Sequence, residues 1–437
     1  MQQFDWVIGK AMGSQKYRML IGTIKWRINH THAWMWRRLL WRTTVIAVIG
    51  SCGKTTTKEL ISSCIQEIGV TSASLGSWSG LRFGGIAAAI LSTRFRDKYL
   101  VVEAGIEKPG EMQRIGVLLR PDVVVVTRIA PAHLSYFGDL DHIALEKGAL
   151  VEQCHRTGLV LLNRDDERVY AMKKRTKARV VTFGIHPEAD MRCLEMSADW
   201  PSRLSLSIEY HDKSYEIQSK LVGNHWSESI LAALATSHAL GVPLTQCAER
   251  IGLVEPVWAR MQPIELPSGV TFMRDDYHGS PHNYKTAFDV MRTALASRKI
   301  IVTSVYSDSP GHSRNRMRAL AEEAYDIFDI FVFFGESSKF AENLLKGKGV
   351  KSESVLSTKS IFDIVRFLQQ HLNRGDLVLL KGITSAHISR AYLGLVGDLK
   401  CALPTCGHQF LCDRCPKLGF AWTEELKPYM APPDCYL

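Results

Sequence analysis

Apolar runs short enough to be single strands recur along the chain, each followed by a stretch with the apolar spacing of a helix. Val45-Ile46-Ala47-Val48-Ile49, Leu100-Val101-Val102-Glu103, Val123-Val124-Val125-Val126-Thr127 and Gly158-Leu159-Val160-Leu161-Leu162-Asn163 lack the alternation of a half-exposed strand. Such uninterrupted runs predict parallel strands covered on both faces. After Glu255-Pro256 the pattern starts again. Lys299–Thr303, Ile327–Phe334 and Leu377–Leu380 read as strands, with amphipathic helices between them. The fold class is therefore α/β, with a mostly parallel sheet in residues 45–255 and a second open sheet in residues 256–397. Residues 1–44 form an extension before the first strand, and residues 398–437, rich in Cys and Pro, look like an appended tail.

The first strand runs into Gly50-Ser51-Cys52-Gly53-Lys54-Thr55-Thr56-Thr57 and then a helix start at Lys58-Glu59-Leu60-Ile61. Strand, glycine turn and helix are what a nucleoside triphosphate loop needs. Gly50 and Gly53 let backbone N–H groups close on phosphate oxygens at the positive end of the helix. Lys54 supplies a cation to the outer phosphates, and the Thr55 hydroxyl is placed for Mg²⁺. Val48 occupies the position of the first glycine in the full motif. The loop points to ATP or GTP.

Composition narrows the setting. The chain has 437 residues, 46% of them hydrophobic and 22% charged, which suits a globular protein of two or three domains. No apolar run approaches the roughly 20 residues of a membrane span, and no signal peptide is evident. Ten cysteines without a disulfide rhythm suggest a reducing, cytoplasmic setting. Much of the net charge of +10 lies in the first 44 residues, where Lys25, Arg27, Arg37, Arg38 and Arg42 alternate with Trp26, Trp34, Trp36 and Trp41. This segment either packs its tryptophans on the next domain or lies peripherally on an anionic membrane. Nucleic acid is the least favoured partner, because the basic residues fall outside any recognised nucleic-acid motif.

Two further segments fall where the loop would want metal ligands. Glu103 ends a buried strand, and His133 follows the Val123–Thr127 strand, with Ala144-Leu145-Glu146-Lys147-Gly148 next. Read alone, His133 is an ordinary satisfied histidine and Lys147 a solvated helix lysine. Taken together, however, the segments resemble the Mur ligase family of ATP-dependent amide ligases, nearest the branch that adds D-alanyl-D-alanine. The likeness runs from about Val45 to Leu395. It rests on Gly50–Glu59, Val102-Glu103-Ala104-Gly105, Ala132-His133-Leu134 and Asn163-Arg164-Asp165-Asp166. In the second half it rests on Ala259-Arg260-Met261, Arg274–Pro281 and Gly375–Gly382.

That resemblance implies a central phosphate-loop ATPase domain followed by a Rossmann-like C-terminal α/β domain. ATP would phosphorylate a carboxylate, and an amino acid or peptide amine would attack the acyl phosphate, giving an amide, ADP and phosphate. It implies roles for Lys54, Lys147, His133 and Arg260 in catalysis. Gly50, Ser51, Cys52, Gly53, Lys54, Thr55, Thr56, Arg260, Asp275 and Tyr277 would hold nucleotide, and Thr55, Glu103, His133 and Lys147 would hold Mg²⁺, with Lys147 carbamylated. The chain also departs from the family. Cys52, Trp226, Ser229, His278 and Ser280 stand where asparagines are usual, and Leu75–Gly84 lacks paired asparagines. About 44 residues precede the loop, too few for the family's uridine-nucleotide domain. These departures imply a ligase redirected to another carboxylate, or alternatively a nucleotide-binding scaffold or amidotransferase partner without turnover. A nucleic-acid-associated ATPase is the third reading.

In the tail, Cys401, Cys406, His408, Cys412 and Cys415 crowd together. The Cys412-x-x-Cys415 pair has the spacing for one tetrahedral Zn²⁺, with Cys401 and Cys406, or Cys406 and His408, completing the shell. Such a zinc would be structural.

Overall fold

The computed structural model describes residues 15–74, 84–131, 134–306, 311–403, 406 and 411–431. A helix, Gln15–Leu39, comes first. Nine strands then form one sheet: β1 Thr44–Ile49, β2 Thr71–Ala73, β3 Tyr99–Glu103, β4 Val123–Val126, β5 Leu159–Asn163, β6 Arg179–Gly184, β7 Met191–Ser197, β8 Ser205–Tyr210 and β9 Lys213–Gln218. Their order is β2-β3-β1-β4-β5-β6-β7-β8-β9. The pairs from β2 to β7 are parallel, and β7–β8 and β8–β9 are antiparallel.

Period-two alternation distributes the apolar runs to two layers. Ile46, Val48, Val101, Val125 and Leu161 face the helices Lys54–Ile65 and Ser227–Ala239. Val45, Ala47, Ile49, Val102, Val124 and Leu162 face Glu111–Leu119 and Leu140–Glu152. The register sets Val48 beside Glu103 and Ile49 beside Val126, so the ends of β1, β3 and β4 reach one edge together.

A second sheet contains β10 Gln262–Glu265, β11 Thr271–Asp275, β12 Arg298–Ser304, β13 Ile330–Phe334, β14 Val355–Thr358 and β15 Asp376–Lys381, in the order β10-β11-β15-β12-β13-β14. All its pairs are parallel except β10–β11. One continuous hydrophobic cluster runs from the first lobe through Leu221, Val222 and Trp226 to Phe288 and Val290 of the second. Leu295 N also donates to Trp200 O across the lobes at 2.8 Å.

The structure corrects one sequence expectation and adds detail to two others. The Ile327–Phe334 run is a strand only from Ile330, because Ile327 and Phe328 turn out of the preceding helix. Their apolar character comes from burial in that turn, where Phe328 meets the Phe288 ring at 5.5 Å. The basic N-terminal segment divides its tryptophans. Trp36 donates to Thr93 O and packs on Phe95, whereas Trp34 and Trp41 remain exposed.

The tail, finally, is built into the second lobe. Leu418 and Met430 are buried in its core, and Asp413 forms an ion pair with Arg274 (Nη1–Oδ1 2.7 Å). Arg274 also forks onto Asp276 with two contacts of 3.1 Å, and all three side chains are buried. Breaking such a buried arrangement on one side leaves an uncompensated charge. Asp413→Ala is therefore expected to lower unfolding free energy by about 3–5 kcal/mol in a denaturant titration. A loss below about 1 kcal/mol would show that this pair does not hold the tail.

Candidate functional site

The site begins at the turn that ends β1. Gly50 has φ 144°, and an added Cβ there would lie 1.9 Å from Thr127 Oγ1. Only glycine permits that approach. Thr127 uses the proximity to donate to Cys52 O at 2.7 Å, fixing the loop to the end of β4. Gly53, in the left-handed region at φ 77°, then starts the helix Lys54–Ile65. From the other layer, the Lys147 ammonium donates to Gly50 O at 3.0 Å. Lys147 is buried, and that burial, with Lys54 next in effect, lowers its pKa to about 7.

Thr55 Oγ1 donates to Glu103 Oε2 at 2.7 Å, and Lys54 Nζ lies 4.0 Å from Glu103 Oε1. Glu103 is buried, and its backbone N–H donates to Ser74 Oγ at 3.1 Å. A buried carboxylate paired with a hydroxyl supplies the hard oxygen donors that suit Mg²⁺. Among the described residues, no group of three or more His, Cys, Asp or Glu side chains is gathered closely enough to hold a metal ion. His133 lies outside the described residues, as do residues 75–83 of the departing loop.

Opposite the loop, the second lobe completes a cleft lined by Ser51–Thr55, Glu103, Arg260 and Asp275 among others. Asp275 Oδ2 accepts from Lys381 Nζ at 2.5 Å, and its Oδ1 accepts from Met261 N at 3.2 Å. Lys381 also donates to His278 O at 2.7 Å, so one buried ammonium fixes the whole Asp275–His278 turn. Burial lowers the Lys381 pKa, with Asp275 opposing the shift. Arg260 stacks over the Tyr277 ring at 4.8 Å. Thr56 is buried in the first helical turn behind the cleft.

Three of the departures from the family pattern, Cys52, Trp226 and His278, line this same cleft. Burial pushes the Cys52 thiol up to about 11, with Glu228 adding to the shift, so it stays protonated. Ser229 Oγ donates to Gly53 O at 3.4 Å, and Trp226 lines the wall. His225 is held neutral, its pKa lowered to about 3 by burial and then by Lys381 and His282.

Sequence reading missed the Arg128–Glu228 ion pair at the cleft and the positioning role of Lys381. Only the strand–Lys–Gly pattern hinted at Lys381. The four tail cysteines lie elsewhere. Cys401, Cys406, Cys412 and Cys415 line one small pocket with His387 and Arg390, and Cys412 Sγ lies 3.3 Å from His387 Nδ1. His408 lies outside the described residues.

Comparison with known proteins agrees with this architecture. The Mur ligase middle domain model matches residues 48–237, and the model for the Mur ligase glutamate ligase domain matches residues 259–383. The UDP-N-acetylmuramoyl-tripeptide–D-alanyl-D-alanine ligase of Mycobacterium tuberculosis is 30% identical over 249 residues, covering 57% of this chain and 48% of that protein. The chain thus spans about half the length of the first relatives it matches. The Mycobacterium leprae ligase of the same name is 28% identical over 392 residues, covering 81% and 74% of the two chains. A MurF crystal structure from Acinetobacter baumannii superposes with TM-score 0.76 at 22% identity, covering 84% of this chain and 79% of that one. MurF from Thermotoga maritima in complex with ADP gives TM-score 0.71 at 21% identity, with 84% and 82% covered.

The steric constraint at Gly50 can be isolated from its backbone strain. Gly110, at φ 81° with nothing within 4 Å of an added Cβ, serves as the control. Gly50→Ala is expected to cost about 2 kcal/mol more than Gly110→Ala in thermal unfolding. Equal costs would mean that Thr127 does not enforce the glycine.

Proposed function

The chain belongs to the Mur ligase family, and on that premise we propose that it is an ATP-dependent carboxylate–amine ligase. The observation that carries this reading is the cleft itself, in which Ser51–Thr55 and Glu103 face Arg260 and Asp275 from the other lobe. The γ-phosphoryl group would pass to a substrate carboxylate oxygen with ADP leaving. The amine would then attack the carbonyl carbon, expel phosphate and lose a proton. Lys54 would neutralise charge on the transferring phosphoryl group, and Arg260 would meet it from the second lobe. Asp275 retains lone pairs beyond those used by Lys381 and Met261, enough to accept from ribose hydroxyls.

Thr55 and Glu103 would hold Mg²⁺, which supplies Lewis-acid stabilisation of the phosphates when bound. His133 is proposed as a further ligand from the family likeness. Lys147 supports a carbamate for a physical reason. CO₂ is attacked only by the free amine, and burial makes that form accessible near neutral pH. The product is anionic, an oxygen donor where an ammonium would repel the metal. The sign follows from the lowered pKa: protonated below about pH 7, Lys147 is unreactive, and carbamylation rises as pH passes that value.

A screen of amino acids and dipeptides for phosphate release tests the reading. Release that requires both an added carboxylate and an added amine is expected. Lys54→Ala should lower it by more than about 10³-fold. Lys147→Ala should be comparably impaired, with partial rescue by short carboxylates. Nucleotide binding without amine-dependent turnover would favour the scaffold reading, and stimulation by DNA or RNA would favour the nucleic-acid-associated ATPase.

The tail is proposed to bind structural Zn²⁺. Among the described residues, four thiols line one pocket without being gathered into a metal-holding group, so ligation would draw them together around the Cys412-x-x-Cys415 pair. Metal analysis of the purified protein should find about one zinc per chain, lost on Cys412→Ser/Cys415→Ser. Zinc-free protein of unchanged stability would refute this assignment.

A further inference from the structure

At the opposite edge of the first sheet from the phosphate loop, the N-terminal helix lies across the body of the protein. Ala33, Trp36, Arg37 and Leu40 face inward. Arg37 is buried and donates to Leu119 O at 2.6 Å and Arg120 O at 3.0 Å, while also contacting Asp122. These contacts fix the rotation of the helix. They leave Ile28, Met35 and Leu39 pointing away, 47%, 46% and 54% exposed. Their spacing of seven and four residues places them in one stripe. Just beyond the helix, Trp41 is 78% exposed. An apolar stripe on a helix already packed along its other side calls for a partner.

The charge beside this stripe indicates which one. An open hollow next to it is lined by Arg38, Trp41, Arg120, His155 and Arg156. The arginines Arg38 and Arg42 stack on Trp34 and Trp41 at 3.5 and 5.0 Å, with the guanidinium and indole presented together. Asp122 is the acid in the lining, and it is already engaged by Arg37 and by Val45 N at 2.9 Å. On the adjacent loop, Asp97 is likewise engaged, by Ser72 Oγ and Arg94 N. The arginines of the hollow thus stand beside acids already used internally.

We infer that this face docks on an anionic lipid bilayer, with the Ile28–Met35–Leu39 stripe and Trp41 in the headgroup–acyl boundary and the arginine hollow on lipid phosphates. The chemistry is that of an interfacial amphipathic helix: apolar residues with tryptophan on one side, arginines at its margin. Among the described residues no helix is long and apolar enough to cross a membrane. The docked face adjoins Thr44 and Val123, where β1 and β4 start, whereas the phosphate loop leaves the other end of β1. At about 3.3 Å per residue the length of β1 separates the two. Docking therefore leaves the cleft open to the aqueous side.

The test is co-sedimentation of the full chain with vesicles of phosphatidylcholine alone or with an equal share of phosphatidylglycerol. Strong binding to the anionic vesicles, weak binding to the neutral ones, and a steep decline with salt are expected. Each interfacial arginine contributes roughly fivefold in partitioning, so Arg38→Glu/Arg156→Glu should lower binding by at least about 20-fold. Leu39→Ser/Trp41→Ser should also release the protein. Both pairs alter exposed or half-exposed side chains, and circular dichroism checks their folding; the salt series on the unaltered chain tests the inference without them. Equal binding to both vesicle types, or none, would overturn it. So would self-association abolished by Leu39→Ser/Trp41→Ser, since a second copy would then own the face. Vesicle binding is read without nucleotide or turnover, so its outcome is independent of the ligase proposal.

Discussion

The site depends on one close approach, that of Gly50 to Thr127. With no side chain at Gly50, β1 can end against the Thr127 hydroxyl, which then bonds the carbonyls of Ile49 and Cys52. The loop is thereby held by the neighbouring strand before any ligand arrives. Lys147 adds a second restraint from the outer helix layer, and Ser229 a third from the inner one. An oxyanion site is effective to the extent that its donors need no reorganisation at the moment of reaction. Here three elements far apart in sequence converge on four consecutive residues.

The same economy governs the buried cations. Lys58, Lys147, Lys381 and Arg274 are all within the protein, and each is held by carbonyls or carboxylates. Burying an ammonium is tolerable only under that condition. The consequence differs from place to place. Lys381 and Arg274 immobilise the 274–278 turn from below, so Asp275 and Tyr277 are presented on a rigid base. Lys147, bonded to the Gly50 carbonyl, keeps a pKa lowered by burial and then by Lys54.

What the sequence revealed follows from this physics. Parallel strands covered on both faces leave continuous apolar runs, and the loop needs glycines at fixed places, so β1, β3, β4 and the 50–55 turn could be read directly. Glu103 was legible because an acid that ends a buried run must have a task. Pairs such as Arg128–Glu228, a hundred residues apart, carry no local signature. The β7–β9 extension is half-exposed, with polar residues along each strand, and gives a weak pattern. Its β8–β9 turn uses His211 and Asp212 at φ 49° and 59° without glycine, which removes the usual hairpin cue. The packing of the tail on the second lobe gave no cue for a similar reason: Asp413 is an ordinary acid until Arg274 is seen beneath it.

The departures from the family are not spread evenly over the cleft. Lys54, Thr55 and Glu103, proposed to face the transferring phosphate, keep the residue types that the family resemblance implies. Cys52, Trp226 and Ser229, on the flank, stand where the family resemblance implies amide side chains that could both donate and accept. A half-buried neutral thiol and an indole offer surface and little hydrogen bonding. Contacts made equally in ground and transition states set KM, whereas those that strengthen as charge develops set kcat. On the proposed ligase reading, exchanging amides on the flank while keeping the phosphate-facing set would alter which nucleotide and substrate are held, and how tightly, without removing the groups that act on the reacting phosphorus. Selection acting on the carboxylate that is joined, rather than on the joining, would leave a cleft of this kind.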